Sequence, residues 1–134
     1  MNENQQELIF KLSMFEQQIQ HLQQQLQAVE QGIVELDSLS LGLSDVTSSR
    51  GKDIFAPVGR GIFVKAKMQS EDLIVDVGGR NFVKKSVPET QKMINEQVQK
   101  LENVKKELNN HLERLSDELT KTMIDAQGKE QESN

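Results

Sequence analysis

Apolar residues near the start of the chain follow a strict heptad. They alternate four and three residues apart and are separated mostly by Gln and Glu: Leu8, Leu12, Phe15, Ile19, Leu22, Leu26, Val29, Ile33 and Leu36. A 3.5-residue period keeps one apolar seam facing a partner helix, which is the coiled-coil condition. The spacing predicts a helix over residues 5–38, with Gly32 as a weak point because Gly costs about 1 kcal/mol relative to Ala.

The last part of the chain repeats the pattern and predicts a second coiled-coil helix over residues 87–127. Ser86 and Glu89 form a capping-box motif at its start. Lys105 occupies a heptad core position, where a polar residue costs stability but can fix the register. Residues 128–134 are predicted to form a polar tail. The apolar seam of this helix consists of Ile94, Val98, Leu101, Leu108, Leu112, Leu115 and Leu119.

Residues 39–87 are predicted to form a connection followed by two β-hairpins. Apolar residues alternate with polar or outward-facing ones over residues 62–68 and 73–77, and this period of two predicts half-buried strands. Residues 53–58 and 81–86 supply shorter strands to pair with them. Glycine-rich turns separate the two strands of each hairpin.

The order of these elements predicts an α+β fold, with a long antiparallel two-helix coiled coil joined by two β-hairpins. An even number of hairpin strands can return the chain to its starting side, so that the second helix runs back along the first. The alternative is a long parallel dimer with the strand region bulging between two rods. Two seams of similar length, which can close on each other internally, favour the antiparallel pair.

Composition favours an elongated molecule over a single globule. The 134 residues include no Cys, Trp or Tyr and only five Phe, and aromatic side chains normally dominate a compact core. The lack of Cys excludes disulfides and fits a reducing, cytoplasmic setting. Residues 1–7 are polar and acidic, so we expect no signal peptide. No apolar run approaches the ~20 residues of a membrane-spanning helix, so we expect no membrane association.

The net charge of −5 is unevenly distributed. Residues 1–38 carry −5, residues 39–87 carry +3 and residues 88–134 carry −3. A negative chain without clustered basic residues argues against nucleic-acid binding. The lysines of the strand region indicate a solvated face that also blunts exposed strand edges, or a contact with an acidic partner.

No motif supports catalysis or cofactor binding. Gly59-x-Gly61 lacks the third Gly of the dinucleotide fingerprint, because Val64 stands there, and no phosphate-binding GK[ST] motif is present. His21 and His111 are the only histidines, whereas catalytic zinc usually has three protein ligands. We therefore expect that the chain is not an enzyme and has no cofactor and no metal site.

Two segments between the heptads resemble the hairpins of prefoldin α-type subunits, in particular archaeal ones. Residues 56–68, APVGRGIFVKAKM, resemble the first hairpin, and residues 73–86, LIVDVGGRNFVKKS, resemble the second. The arrangement of helix, two hairpins and helix covers nearly the whole chain. Two hairpins distinguish the α type from the β type, which has one.

The resemblance implies an ATP-independent holding chaperone that binds unfolded proteins at its coiled-coil tips and passes them to a group II chaperonin. In the family, two α and four β subunits form a hexamer, whose hairpins join into a β-barrel platform. The competing hypothesis is a structural coiled-coil adaptor that tethers fixed protein partners. General suppression of client aggregation would separate the two, because an adaptor should not protect unrelated clients.

The resemblance and the heptad positions together predict two sets of site residues. Apolar residues off the seam concentrate where the two chain ends meet, and exposed apolar clusters often mark interaction sites. Local packing of fraying helix ends is the simpler alternative. The expected client-binding residues are Leu8, Ile9, Phe10, Met14, Phe15, Met123 and Ile124. The expected oligomer-interface residues are Ile62, Phe63, Val64, Ile74, Val75, Phe82 and Val83.

Overall fold

The structure is a computed structural model that describes residues 2–133, with side chains up to Gly128. Within these residues, helix α1 spans Glu3–Ser44 and helix α2 spans Val87–Ser133. The strands between them are β1 Asp53–Gly59, β2 Ile62–Lys67, β3 Leu73–Asp76 and β4 Phe82–Lys85. This order confirms the predicted fold of two long helices joined by two hairpins.

Burial along both helices follows the predicted seams. The α1 seam from Leu8 to Leu36 is buried or half-buried throughout, whereas the Gln and Glu residues between its members are exposed. On α2, Ile94 is only 2% exposed and Leu115 is also buried. Lys105 is half-buried, as expected for a core position of the heptad. Each helix therefore carries one stripe of buried and half-buried residues along its seam.

Both ends of α1 differ from the prediction of residues 5–38. The helix starts earlier because Asn2 and Gln5 cap it reciprocally: the Gln5 amide donates to Asn2 Oδ1 at 2.8 Å, and the Asn2 amide donates to Gln5 Oε1 at 3.3 Å. It ends later, at Ser44, because Ser40 and Leu43 continue the seam and are half-buried. The predicted connection at residues 39–52 is thus shortened to the turns that follow Ser44.

The start of α2 agrees with its capping motif, but its end does not agree with the predicted tail. The Glu89 amide donates to Ser86 Oγ at 3.2 Å, and the Ser86 amide donates to Glu89 Oε2 at 3.3 Å. Gly128 does not end the helix, which continues to Ser133. Its cost of about 1 kcal/mol is offset by neighbouring Gln, Lys and Glu, which are good helix formers. Asn134 of the predicted tail lies outside the described residues.

The four strands form two separate two-stranded antiparallel sheets, one for each hairpin. In the first, β1 pairs with β2 from Asp53 opposite Lys67 to Gly59 opposite Ile62, with a register shift after Pro57. In the second, β3 pairs with β4 from Leu73 opposite Lys85 to Asp76 opposite Phe82. The predicted hairpins are confirmed, but the four strands do not join into one patch within this chain.

The chain divides into two compact units, each containing parts of both helices. One unit combines the residues up to Gly32 with those from Leu101 onward, and its helical segments are antiparallel. The other unit, Ile33–Lys100, holds both hairpins together with the adjoining helix ends. In that unit the Gln91 side-chain amide donates to the Ser40 carbonyl and to Ser44 Oγ, both at 3.0 Å.

Candidate functional site

Apolar side chains that lie off the seam are exposed near the two ends of the chain. On α1, Phe10 is 68% exposed, and Ile9 and Met14 are exposed beside it. On α2, Met123 and Ile124 are exposed in the same way. We call these five residues the tip cluster. Because contact between apolar side chains and water is unfavourable, such a cluster favours contact with another apolar surface.

The register of the helices brings the members of the tip cluster to one end of their unit. Glu30 Oε1 lies 3.8 Å from Lys105 Nζ, which shows which turns of the two helices face each other. Counting outward from this pair by the same number of residues on each helix brings Phe10 level with Asp125. Met123 and Ile124 therefore lie beside the first turns of α1.

Two other predicted client-binding residues occupy a different environment. Leu8 and Phe15 are half-buried on the α1 seam, not exposed beside it. Ala126, the last half-buried seam position among the described side chains of α2, lies toward the same end. Leu8 and Phe15 therefore close the coiled coil beneath the tip cluster and expose only part of their surface.

The first hairpin has one wholly apolar face. The pairs Ile54 opposite Ala66 and Ala56 opposite Val64 place their side chains on the same side of the sheet, and Ile62 continues that side along β2. Ile62 and Val64 are both more than half exposed. We call this surface the apolar hairpin face. Ala56 and Ala66 on this face are half-buried.

The opposite side of the first hairpin combines aromatic and charged residues. Phe55 lies across from Lys65, and Phe63 and Lys67 flank Lys65 along β2. Phe55 and Phe63 line an open depression. Lys65 Nζ lies 3.9 Å from an Asp53 carboxylate oxygen, but both side chains are largely exposed. We call this surface the mixed hairpin face.

The second hairpin also divides into two faces. Val75 and Val83 are cross-strand partners on one face, where Val75 is half-buried and Val83 is exposed. Ile74 and Phe82 lie on the other face, where Ile74 is 69% exposed. The predicted interface residues of both hairpins therefore belong to three different exposed faces and one partly covered face.

Comparison with known proteins decides the family. The family model described as a prefoldin subunit matches residues 15–132 of the chain. The chain belongs to the prefoldin family. Its helix, two hairpins and helix agree with that assignment.

Curated relatives place the chain among the α subunits of this family. The prefoldin subunit alpha of Thermofilum pendens is 30% identical over 92% of this chain and 92% of its own length. The prefoldin subunit alpha of Methanosphaera stadtmanae is 26% identical over 66% of this chain, and the match spans 64% of that relative. The chain is thus an α-type prefoldin subunit.

A solved structure supports the fold. The filamentous PFD of Methanocaldococcus jannaschii, determined by cryo-EM, covers 92% of this chain and 98% of its own, with a TM-score of 0.52 and 22% identity. Prefoldins are chaperones, and family membership supports a chaperone role for this subunit. The helices and hairpins described above are therefore parts of a chaperone subunit.

Sequence reasoning missed one exposed surface of this prefoldin subunit. Val34 and Leu41 lie one heptad apart on α1, off the seam, and are 59% and 74% exposed. The prediction ended the first helix at Ser38, which placed Leu41 in a connection and hid the shared face. The continued 4–3 spacing through Ser40 and Leu43 could have revealed it.

Other classes of site receive no support from the described residues. No group of three or more His, Cys, Asp or Glu side chains among them is placed to hold a metal ion. His21 and His111 are both exposed on helix surfaces. No helix in the described range has an apolar stretch long enough to cross a membrane.

Proposed function

We propose that this α-type subunit is an ATP-independent holding chaperone that binds unfolded proteins at the end of its coiled coil. The observation that carries the proposal is the tip cluster, in which Ile9, Phe10, Met14, Met123 and Ile124 are exposed although the neighbouring seam is closed. Unfolded proteins expose apolar segments, which an apolar cluster can cover without any chemical step. Methionine adds flexibility, which suits clients of different shapes.

Each tip contact is weak, so holding a client requires several arms. Linked binding sites raise the effective concentration of the second contact, and avidity then exceeds the affinity of each arm. The proposed complex contains two α and four β subunits, with six coiled coils on one platform. Release requires no nucleotide, only transfer to a group II chaperonin that binds the client more tightly.

The hairpins are proposed to form the platform. Two-stranded hairpins are marginally stable alone, and their unpaired strand edges are available to strands of other chains. The apolar hairpin face, together with Phe63, Ile74, Val75, Phe82 and Val83, would be covered in a β-barrel shared between subunits. The exposure of most of these residues in the single chain supports this assignment.

The same proposal includes no catalysis, no cofactor and no metal, and a cytoplasmic location. Binding and release by apolar contact need no catalysis, no cofactor and no metal. The partners are β-type prefoldin subunits, unfolded clients and a group II chaperonin, with no role for nucleic acid or membrane.

Light scattering of denatured clients tests the proposal. The chain is co-expressed with a β-type prefoldin subunit, and the purified complex is added to several unrelated proteins diluted from denaturant. A holding chaperone lowers the aggregation of all of them without ATP. Protection of one client only, or of none, would favour the structural adaptor instead.

A further inference from the structure

The missed surface of α1 combines apolar and acidic side chains. Asp37 lies between Val34 and Leu41 on the same side of the helix, one turn from each, and Asp45 is the first residue after the end of α1. All four residues are exposed. We call them the α1 stripe. Neither aspartate makes an ion pair within the part of the chain that the structure describes.

The mixed hairpin face has the complementary character. Phe55 and Phe63 provide apolar area around an open depression, and Lys65 and Lys67 provide positive charge beside it. Asp53 offsets one of these charges, since it lies 3.9 Å from Lys65. Lys67 has no ion-pair partner among the described residues. The face therefore keeps a net positive charge next to exposed aromatic area.

The two surfaces also agree in length. At a rise of about 1.5 Å per residue, Asp37 and Leu41 are separated by about 6 Å along the helix axis. At about 3.3 Å per residue, Phe63 and Lys65 are separated by about 7 Å along β2. Leu41 can thus meet the aromatic pair while Asp37 comes within reach of Lys65.

We propose that the mixed hairpin face of one copy of this chain docks on the α1 stripe of a second copy. This contact rests on the proposed function, because it would operate inside the assembled platform. It differs from the strand pairing and from the apolar hairpin face, and of the platform residues named above it takes only Phe63, which the helix of the second copy would cover. Leu41 would pack against Phe55 and Phe63, and Asp37 and Asp45 would approach Lys65 and Lys67.

A second copy is the occupant because this chain carries both halves of the contact. The charge distribution supports it: residues 39–87 carry +3 and residues 1–38 carry −5, so the basic strand region of one copy is attracted to the acidic helix of another. A two-fold axis between two copies would make the contact twice. Burial of Leu41, Phe55 and Phe63 would add apolar stabilisation to both contacts.

Charge exchange tests the contact. The variants Asp37→Lys with Asp45→Lys, and Lys65→Glu with Lys67→Glu, each place like charges opposite each other. We expect each pair of changes to raise the dissociation constant for self-association of the full chain by on the order of tenfold. Combining all four changes should return it to within about threefold of the original value. Analytical ultracentrifugation over a range of protein concentrations measures these constants.

A matched control uses Asp117→Lys with Asp125→Lys. These two aspartates are exposed on α2, have the same spacing as Asp37 and Asp45, and lie in the other unit. The change in charge is identical, but the dissociation constant for self-association should stay the same. Leu41→Ser provides an independent test, because it removes apolar area from an exposed position without changing the hairpin. It should weaken self-association severalfold.

Three results would overturn the proposal. The chain could stay monomeric at all concentrations, or the paired variants could associate like the original chain. The variant with all four changes could also keep a raised dissociation constant. If the chain associates only when a β-type subunit is present, and the exchanges act there, the occupant is that subunit and the proposal is wrong. Client protection is measured separately on complexes with the β-type subunit. Its loss alone would contradict the proposed function without bearing on this contact.

Discussion

Lys105 is the residue at which the apolar seam is interrupted. It is half-buried at a heptad core position, and its ammonium group is 3.8 Å from the Glu30 carboxylate. Both side chains keep contact with water, and ion pairs of this kind contribute about 0–1 kcal/mol. An aliphatic side chain at the same position would bury more apolar area. We therefore expect Lys105 to fix the register and not to increase stability.

We expect Lys105→Leu to raise the free energy of unfolding by about 1 kcal/mol, because packing at a core position exceeds the lost ion pair. Urea unfolding followed by circular dichroism, at fixed protein concentration, measures the change. Glu30→Gln is the control and should alter stability by less than about 0.5 kcal/mol. A clear loss of stability in Lys105→Leu would mean that the pair with Glu30 stabilises the coiled coil strongly.

Gly32 and Gly42 permit a second comparison at the same scale. A Cβ added at Gly32 would lie 3.4 Å from Leu101 Cδ1, whereas one added at Gly42 would meet nothing within 4 Å. Gly32→Ala should stabilise the protein by about 0.5–1 kcal/mol through helix propensity. Gly32→Val should not, because its branched side chain would crowd Leu101. Gly42→Val should be tolerated nearly as well as Gly42→Ala. Equal tolerance of Val at both sites in thermal unfolding would contradict close packing at Gly32.

At the scale of elements, the heptad period was sufficient to predict both seams, and alternation was sufficient to predict the strands. The predicted C-terminal end of α1 was wrong because Ser and Gly near residue 40 resemble a loop, although Ser40 and Leu43 keep the seam spacing. Alternation also cannot show which strands share hydrogen bonds. The division into two sheets, and the separate faces of each hairpin, therefore required the structure.

The hairpins are expected to drive assembly, and Ile74→Asp tests this. Ile74 is 69% exposed in the single chain and lies across from Lys84, so the change should leave the hairpin and the helical circular dichroism signal largely intact. In an assembled platform it would bury a carboxylate, which costs several kcal/mol. Mass photometry of the complex with a β-type subunit should show dissociation. Asp76→Asn, on the same face, should assemble normally, and intact mass in Ile74→Asp would place assembly in the coiled coils.

At the scale of the whole molecule, the sequence predicted that exposed apolar residues gather at one end, but it could not supply the register that brings them level. That register depends on contacts between distant residues, such as Glu30 with Lys105. The heptad did place Phe15 on the seam and Phe10 off it, and the half-buried Phe15 and the exposed Phe10 agree with that assignment. The tip cluster is the feature on which the proposed function depends.

The central claim is tested most directly by replacing the tip cluster with Ser at all five positions and measuring client aggregation by light scattering. Complexes with a β-type subunit are compared at equal concentration, with Leu39→Ser and Val104→Ser as the control because both residues are exposed apolar residues outside the tip cluster. The account predicts unchanged assembly mass, a severalfold loss of protection in the tip variant and full protection in the control. Equal protection by all three complexes would contradict it and would place client binding elsewhere on the subunit.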